Sequence, residues 1–379
     1  MTASASRTLL GGHSPAAFLT RFWQKNACLV RGAIPGFQGI FTRGELFDLA
    51  SRDEFESRLV MRERGRWSLA HGPFPARELR RLPPSRWSLL VQGANLANAE
   101  ADALLRRFAF LPFARLDDLM VSYAAPGGGV GPHVDSYDVF LLQGPGRRRW
   151  RYGKQRDLSL VPDLPLKILA RFEPRHDAVL DASDMLYLPP QFAHDGVAID
   201  ACTTYSIGFR AASNTEIGEA FFDYLRDEVA LPGRYTDAGI VPARRPGRID
   251  NAMRREVAKT LAQLRWNRHD VARFLGIFLS EPKASVQFTQ PSPLLAGVPF
   301  ARRIARSGIT LDRATQFLYD DDAFYMNGEA TTMPAAGREM LMRLADRRQL
   351  DARECGSLPA PARALLHQWY RHGYARIDA

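Results

Sequence analysis

The chain has little cysteine: three residues in 379, Cys28, Cys202 and Cys355. They are widely separated and odd in number, with no CxxC pair. That excludes a disulfide framework and a cysteine-based zinc site, and it predicts a reducing compartment. No run of 18 or more apolar residues exists, so no membrane-spanning helix, and no membrane partner, is expected. The opening stretch MTASASRTLLGGHSPAAF lacks a basic segment followed by an apolar one, so it does not read as a secretory signal, and a cytoplasmic protein is expected. Internal repeats and low-complexity tracts are missing too. Acidic residues are in deficit, 41 against 51 basic ones, giving a net charge of +10 and a pI near 9.8. The excess is nearly all arginine and is spread through the chain without a concentrated basic recognition helix. Such a balance favours encounter with something carrying RNA. Arginine-rich usage also follows from a GC-rich genome, so direct nucleic-acid binding stays open.

What is present is ordinary for a globular protein, with 46% hydrophobic and 24% charged residues. The length accommodates two or three domains. Residues 15–30 read as a short amphipathic helix running into a strand, with Phe18, Phe22 and Trp23 clustered. A helix leading to a strand near residues 58–62, a strand at 88–91 and a helix over 99–110 follow. From residue 118 the pattern changes to short strands separated by Gly/Pro turns, the signature of a sandwich or jelly roll. DLMVSYA sets Asp118, Met120 and Ser122 on one face against Leu119, Val121 and Tyr123. YDVFLLQ, a GPG turn and RRRWRY form a hairpin. HDAVLD, DMLYLPP, HDGVAID and TTYSIGFR complete the set. After Arg210 the reading turns helical over 216–230 and 250–280. Beyond about 285 it is mixed, with a hairpin at FYMNGE, a helix at AAGREMLMRLADRRQ and a helix ending in a strand at PARALLHQWYRHGYARI.

The chemistry concentrates in GPHVDSYDVFLLQGPGRRRWRY. His133 and Asp135 are two positions apart, so at a strand or its rim both side chains project to one side. His194 begins a later strand, which a small barrel can bring to the same mouth. Two imidazoles and one carboxylate make a facial triad, the ligand set suited to non-haem Fe(II). Period-two alternation groups Arg148 with Trp150 and Tyr152 and sends Arg147, Arg149 and Arg151 to the other face. The aromatics belong inside, so Arg148 points inward and needs an anion, such as a small dicarboxylate. It could instead pair with a buried carboxylate such as Asp138, and His194 on its own reads as a satisfied core histidine. In the last strand Thr204, Ser206 and Gly208 alternate with Tyr205, Ile207 and Phe209, which leaves a small polar face for a ligand.

The runs PGGGVGPHVDSYDVFLLQGPGRRRWRYG and DMLYLPPQFAHDGVA, with FLTRFWQKNACLVRGAIPGF near the start, resemble the Jumonji-type, cupin-like Fe(II)/2-oxoglutarate oxygenases. Among these they are most similar to the bacterial ribosomal oxygenases, which hydroxylate an arginine of large-subunit ribosomal protein sixteen. The resemblance implies an α+β chain in three parts. These are a double-stranded β-helix (jelly-roll, cupin/JmjC) catalytic barrel over 1–212, a helical dimerisation region over 213–282 and a winged-helix-like domain over 283–379. It implies iron ligation by His133, Asp135 and His194, and 2-oxoglutarate held by Arg148 with Ser122 beside it. Asp118, Met120, Tyr137 and Ser206 become the implied cradle for a substrate arginine. Dioxygen is the implied co-substrate, no side chain acts as general acid or base, and the protein is expected to be a homodimer. An acidic patch at Asp117, Asp118 and Asp138 would offset the global charge near the pocket. Two other readings remain: an N-methyl-lysine demethylase, and a non-catalytic nucleic-acid-binding cupin regulator.

Overall fold

Continuous apolar runs such as Val139–Gln143 and Met185–Leu188 form strands covered on both faces. A computed structural model describes residues 8–332 and 334–378; residues 1–7 of the stretch read above as carrying no secretory signal lie outside them. The chain divides into two compact units. The first comprises residues 1–211 with 283–289 and 312–314, the second residues 212–282, 290–311 and 315–379.

In the first unit, eleven strands are β1 (Cys28–Val30), β2 (Ser57–Glu63), β3 (Arg66–His71), β4 (Trp87–Val91), β5 (Leu116–Ala124), β6 (Val139–Gln143), β7 (Arg148–Lys154), β8 (His176–Leu180), β9 (Met185–Leu188), β10 (Phe192–Ala198) and β11 (Cys202–Phe209). They form an eight-stranded sheet, in the order β1-β9-β6-β11-β5-β4-β2-β3, and a three-stranded sheet, β10-β7-β8. All of these pairings are antiparallel.

Alternation assigns the two faces of the large sheet. Phe140, Leu142, Met185, Tyr187, Leu119, Val121, Tyr205, Ile207 and Phe209 join the principal core. That core also takes Phe18 from the helix Pro15–Arg21 and Leu104 from the helix Ala99–Arg106. Val139, Leu141, Leu186 and Leu188 turn the other way and pack with Trp150, Tyr152 and Leu180 of the small sheet. Asp118, Met120, Ser122, Thr204 and Ser206 share the inward parity, as the sequence predicts. The space between the sheets stays open beside Met120, Ser122 and Ser206.

Two glycines permit close approaches. A Cβ on Gly129 would lie 2.6 Å from the Gly196 carbonyl oxygen, and one on Gly196 would lie 2.7 Å from the Trp150 ring. Gly196 pairs directly with Trp150 in the β7–β10 ladder, so the indole lies flat over the bare backbone.

Three features differ from the sequence reading. Strand β3 was not anticipated: it is mostly exposed, with only Trp67 and Leu69 half-buried on one face. The stretch 250–280 is two helices, Asn251–Leu261 and Arg268–Ser280. Asn267 restarts the second through a capping box with Asp270. His194 is the third residue of β10 rather than its first, because Phe192 and Ala193 already pair with Lys154 and Gly153.

The second unit opens with the helix Asn214–Glu228 and those two helices. Further along, the helices Gly297–Ser307, Arg338–Arg347 and Ala360–Arg371 enclose a core including Phe300, Ile304, Leu344, Leu366 and Trp369. Two small sheets complete it. β12 (Ile309–Leu311) lies between β16 (Gln349–Leu350) and β17 (Ala375–Ile377). The strands β13 (Phe317–Tyr319), β14 (Ala323–Met326) and β15 (Glu329–Thr332) form the other. Asn327 and Gly328, both at positive φ, make the tight turn read from FYMNGE.

Candidate metal centre

His133 and His194 form a single antiparallel bridge, each backbone amide donating to the other's carbonyl at 3.0 and 2.9 Å. After that bridge the chain leaves the ladder, so Asp135 projects from a loop rather than from the start of a strand. The Gln191 amide, donating to the Asp135 carbonyl at 2.8 Å, ties that loop down. The result brings the three predicted residues together, with their ligand-type atoms all within 4.8 Å of one another.

The ring hydrogen bonds orient the imidazoles. His133 Nδ1 lies 2.9 Å from the Gly131 carbonyl oxygen, and His194 Nδ1 lies 2.9 Å from that of Phe192. A carbonyl only accepts, so each Nδ1 carries a hydrogen and each Nε2 is the nitrogen left to ligate. Those Nε2 atoms face Asp135, His133 at 3.8 Å from Oδ1 and His194 at 3.6 Å from Oδ2. Burial, followed by the neighbouring His133, pushes the His194 pKa down to about 4, despite the opposing pull of Asp135. A neutral imidazole is the form that ligates a cation. Two imidazole nitrogens and one carboxylate fit a divalent first-row metal.

A cavity of about 420 Å³ adjoins these groups, lined by His133, His194, Arg148, Ser122, Met120, Tyr137 and Ser206 among others. Arg148 is 5% exposed. Its Nη1 donates to Ser122 Oγ at a long 3.4 Å and its guanidinium lies 5.7 Å from the Trp150 ring centroid. Its Nε and Nη2 have no hydrogen-bond partner among the described residues. Two orphaned donors on a buried cation define a place for an anion, since such a charge is costly to leave uncompensated. The outward arginines are satisfied differently: Arg147 pairs with Asp200, Arg149 with Asp177 and Arg151 with Asp195.

Asp138 does not serve Arg148. It is fully buried beside Tyr187 of the principal core, accepting from Tyr187 Oη at 2.6 Å and Gln24 Nε2 at 3.0 Å, with Arg115 at 3.6 Å. It therefore leaves the expected acidic patch, which reduces to Asp117 and Asp118. Met120, Tyr137 and Ser206 line the cavity, while Asp118 sits one inward position beyond Met120 on β5.

Sequence reasoning missed three groups around Asp118. Gln92 Nε2 donates to both Asp118 oxygens at 2.8 Å. Arg58 Nη2 lies 3.4 Å from Gln92 Oε1 and 3.8 Å from Met120 Sδ. Lys283 Nζ lies 2.9 Å from Asp118 Oδ2 and 3.0 Å from Asp117 Oδ1. The signal for Arg58 was the Arg64-Gly65 pair, a hairpin turn that folds β2 against β3 beside the cavity. Lys283, far along the chain, had none.

Comparison with known proteins agrees with this geometry. Residues 103–217 match the JmjC domain and residues 263–376 a ROXA-like winged helix. Fold and site together define a JmjC-domain oxygenase carrying a C-terminal winged helix. The chain is 36% identical over 277 residues to the ribosomal protein uL16 3-hydroxylase of Escherichia coli (strain K12), covering 73% of this chain and 74% of that one. It is 38% identical to a probable ribosomal oxygenase of Haemophilus influenzae over 201 residues, 52% of this chain and 50% of the relative. The E. coli ribosomal oxygenase YcfD, solved in complex with cobalt and 2-oxoglutarate, superposes with a TM-score of 0.81 at 32% identity, over 96% of this chain and 97% of that one. The chain belongs to the ribosomal oxygenase family.

Proposed function

We propose that this chain is an Fe(II)/2-oxoglutarate-dependent dioxygenase that hydroxylates an arginine side chain of a large-subunit ribosomal protein, uL16. Dioxygen is the co-substrate, and succinate and carbon dioxide are the co-products. The observation that carries the reading is the joint placement of the His133, Asp135 and His194 ligand atoms beside a buried guanidinium with two nitrogens unpaired among the described residues, in one open cavity. Bound iron supplies the oxygen-activating chemistry when 2-oxoglutarate is present.

The chain's own side chains bind and orient. His133, Asp135 and His194 hold the metal, with the Nδ1 hydrogen bonds fixing both ring planes. Arg148, assisted by Ser122, receives the far carboxylate of 2-oxoglutarate on the nitrogens that lack partners. Met120, Tyr137 and Ser206 line the approach to the metal and Asp118 lies just beyond, an aromatic and thioether wall with a carboxylate suited to a guanidinium. No side chain is assigned as general acid or base.

A functional division into catalytic (1–212), dimerisation (213–282) and winged-helix (283–379) parts accompanies this reading, with the protein acting as a homodimer. Exposed large apolar side chains concentrate between Ile217 and Leu275, among them Phe222, Ile249, Leu261 and Trp266. Such a density favours a covered surface.

The test is incubation of the purified chain, loaded with iron, with 2-oxoglutarate and a peptide of the uL16 from its own organism. Mass spectrometry should show one added oxygen atom on an arginine with stoichiometric succinate. An unmodified peptide accompanied by formaldehyde release from an N-methyl-lysine peptide would favour the demethylase instead.

A further inference from the structure

The Asp118 carboxylate is already crowded. Oδ2 accepts from Gln92 Nε2 at 2.8 Å, from the Gly93 amide at 3.1 Å and from Lys283 Nζ at 2.9 Å, while Oδ1 accepts from Gln92 Nε2 at 2.8 Å. A carboxylate offers about four lone-pair sites, and a guanidinium that binds it bidentately needs both oxygens. Lys283 also engages Asp117, which Arg210 Nε approaches at 3.8 Å. Two carboxylates and two cations then sum to zero. An arriving cation meets no net negative charge there, and Arg58 stands nearby as a further positive one.

We infer that Lys283 is an internal competitor for the carboxylate that receives the substrate's cation, and that it sets the affinity and selectivity of that subsite. The inference rests on reading Asp118 as part of the substrate pocket. Lys283 is a competitor rather than a support because Gln92 and Gly93 hold the carboxylate without it. Removing the ammonium frees Oδ2 and leaves the carboxylate anchored. The lysine is also the partner able to move: its side chain is 43% exposed on a flexible four-carbon stem, whereas that of Asp118 is 7% exposed. Burial works against the ammonium, but Asp118 and then Asp117 outweigh it and hold its pKa above the usual lysine value. It therefore remains charged at any working pH. The consequence is a filter. A lone basic side chain gains little by displacing Lys283, whereas an arginine carried on a peptide with further contacts displaces it.

The experiment compares the iron-loaded full chain with Lys283→Met and Lys283→Arg, using the uL16 peptide and a second peptide with citrulline in place of the target arginine. Citrulline has nearly the same shape without the charge. Lys283→Met is expected to lower KM for the arginine peptide about fivefold, a half-exposed charge being partly screened, with the change in KM rather than kcat. Lys283→Arg keeps the competing charge on a bidentate fork and should not lower KM, and inhibition by the citrulline peptide should be the same in all three. The fall in KM should shrink as salt is raised. Unchanged or raised KM in Lys283→Met, with wild type active on the peptide, overturns this inference alone. A wild-type chain that decarboxylates 2-oxoglutarate yet leaves the peptide unmodified overturns the substrate reading and this inference together.

Discussion

Arg148 carries a charge into a cavity where, among the described residues, two of its nitrogens find no partner. A buried cation in that state opposes folding, and an anion that binds it reverses the effect. Arg148→Met is therefore expected to raise KM for 2-oxoglutarate at least tenfold, from loss of a charge pair worth roughly 2–5 kcal/mol. The ligand-free variant should melt no lower than wild type and should lose the stabilisation that 2-oxoglutarate confers. Equal KM values in the two proteins would leave Arg148 a structural residue. The metal ligands behave differently, since each removes one of three donors. His133→Ala and Asp135→Ala should lose stoichiometric metal, measured on the dialysed protein, and all turnover; full metal occupancy in either variant would contradict the assignment.

At the scale of elements, the β7–β10 ladder holds the site in register. It places His194 opposite Tyr152 and Gly196 opposite Trp150. Gly196→Ala would drive a methyl group into a buried indole, at an expected cost of about 1–3 kcal/mol. A thermal melt should fall accordingly, and an unchanged melting temperature would show that Trp150 yields freely. The alternation of β5 and β11 was legible from large apolar residues on every second position, and that of β7 from Trp150 and Tyr152, which share a face with Arg148. Ser122, Arg148 and Ser206 could be aimed inward on that ground. Asp135 was placed on the correct side, but not in its loop, because a one-residue bridge has no sequence signature. The edge strand β3 escaped the reading because its alternation is short, with only Trp67 and Leu69 half-buried. Lys283 was invisible because its partners lie about 165 residues away in the chain.

Over the whole molecule, the exposed apolar side chains between Ile217 and Leu275 stand out against two well-filled cores. If they pair two copies, sedimentation should give a dimer. Leu261→Glu combined with Trp266→Glu should then give a monomer that keeps its secondary structure, whereas a wild-type chain that sediments as a monomer would remove the dimer proposal. The net charge of +10 opposes capture of a basic ribosomal protein. The Asp117 and Asp118 pair offsets this only locally, and Lys283 and Arg210 cancel even that. Recognition must then draw on contacts along the substrate peptide in addition to charge.

The most direct measurement is an anaerobic titration of the metal-free chain with Fe(II) and 2-oxoglutarate, following the visible charge-transfer band of a chelated 2-oxo acid. One iron per chain, with a band that is absent in Asp135→Ala and needs far more 2-oxoglutarate in Arg148→Met, is the expected result. A band that persists unchanged in both variants would contradict the account at its centre.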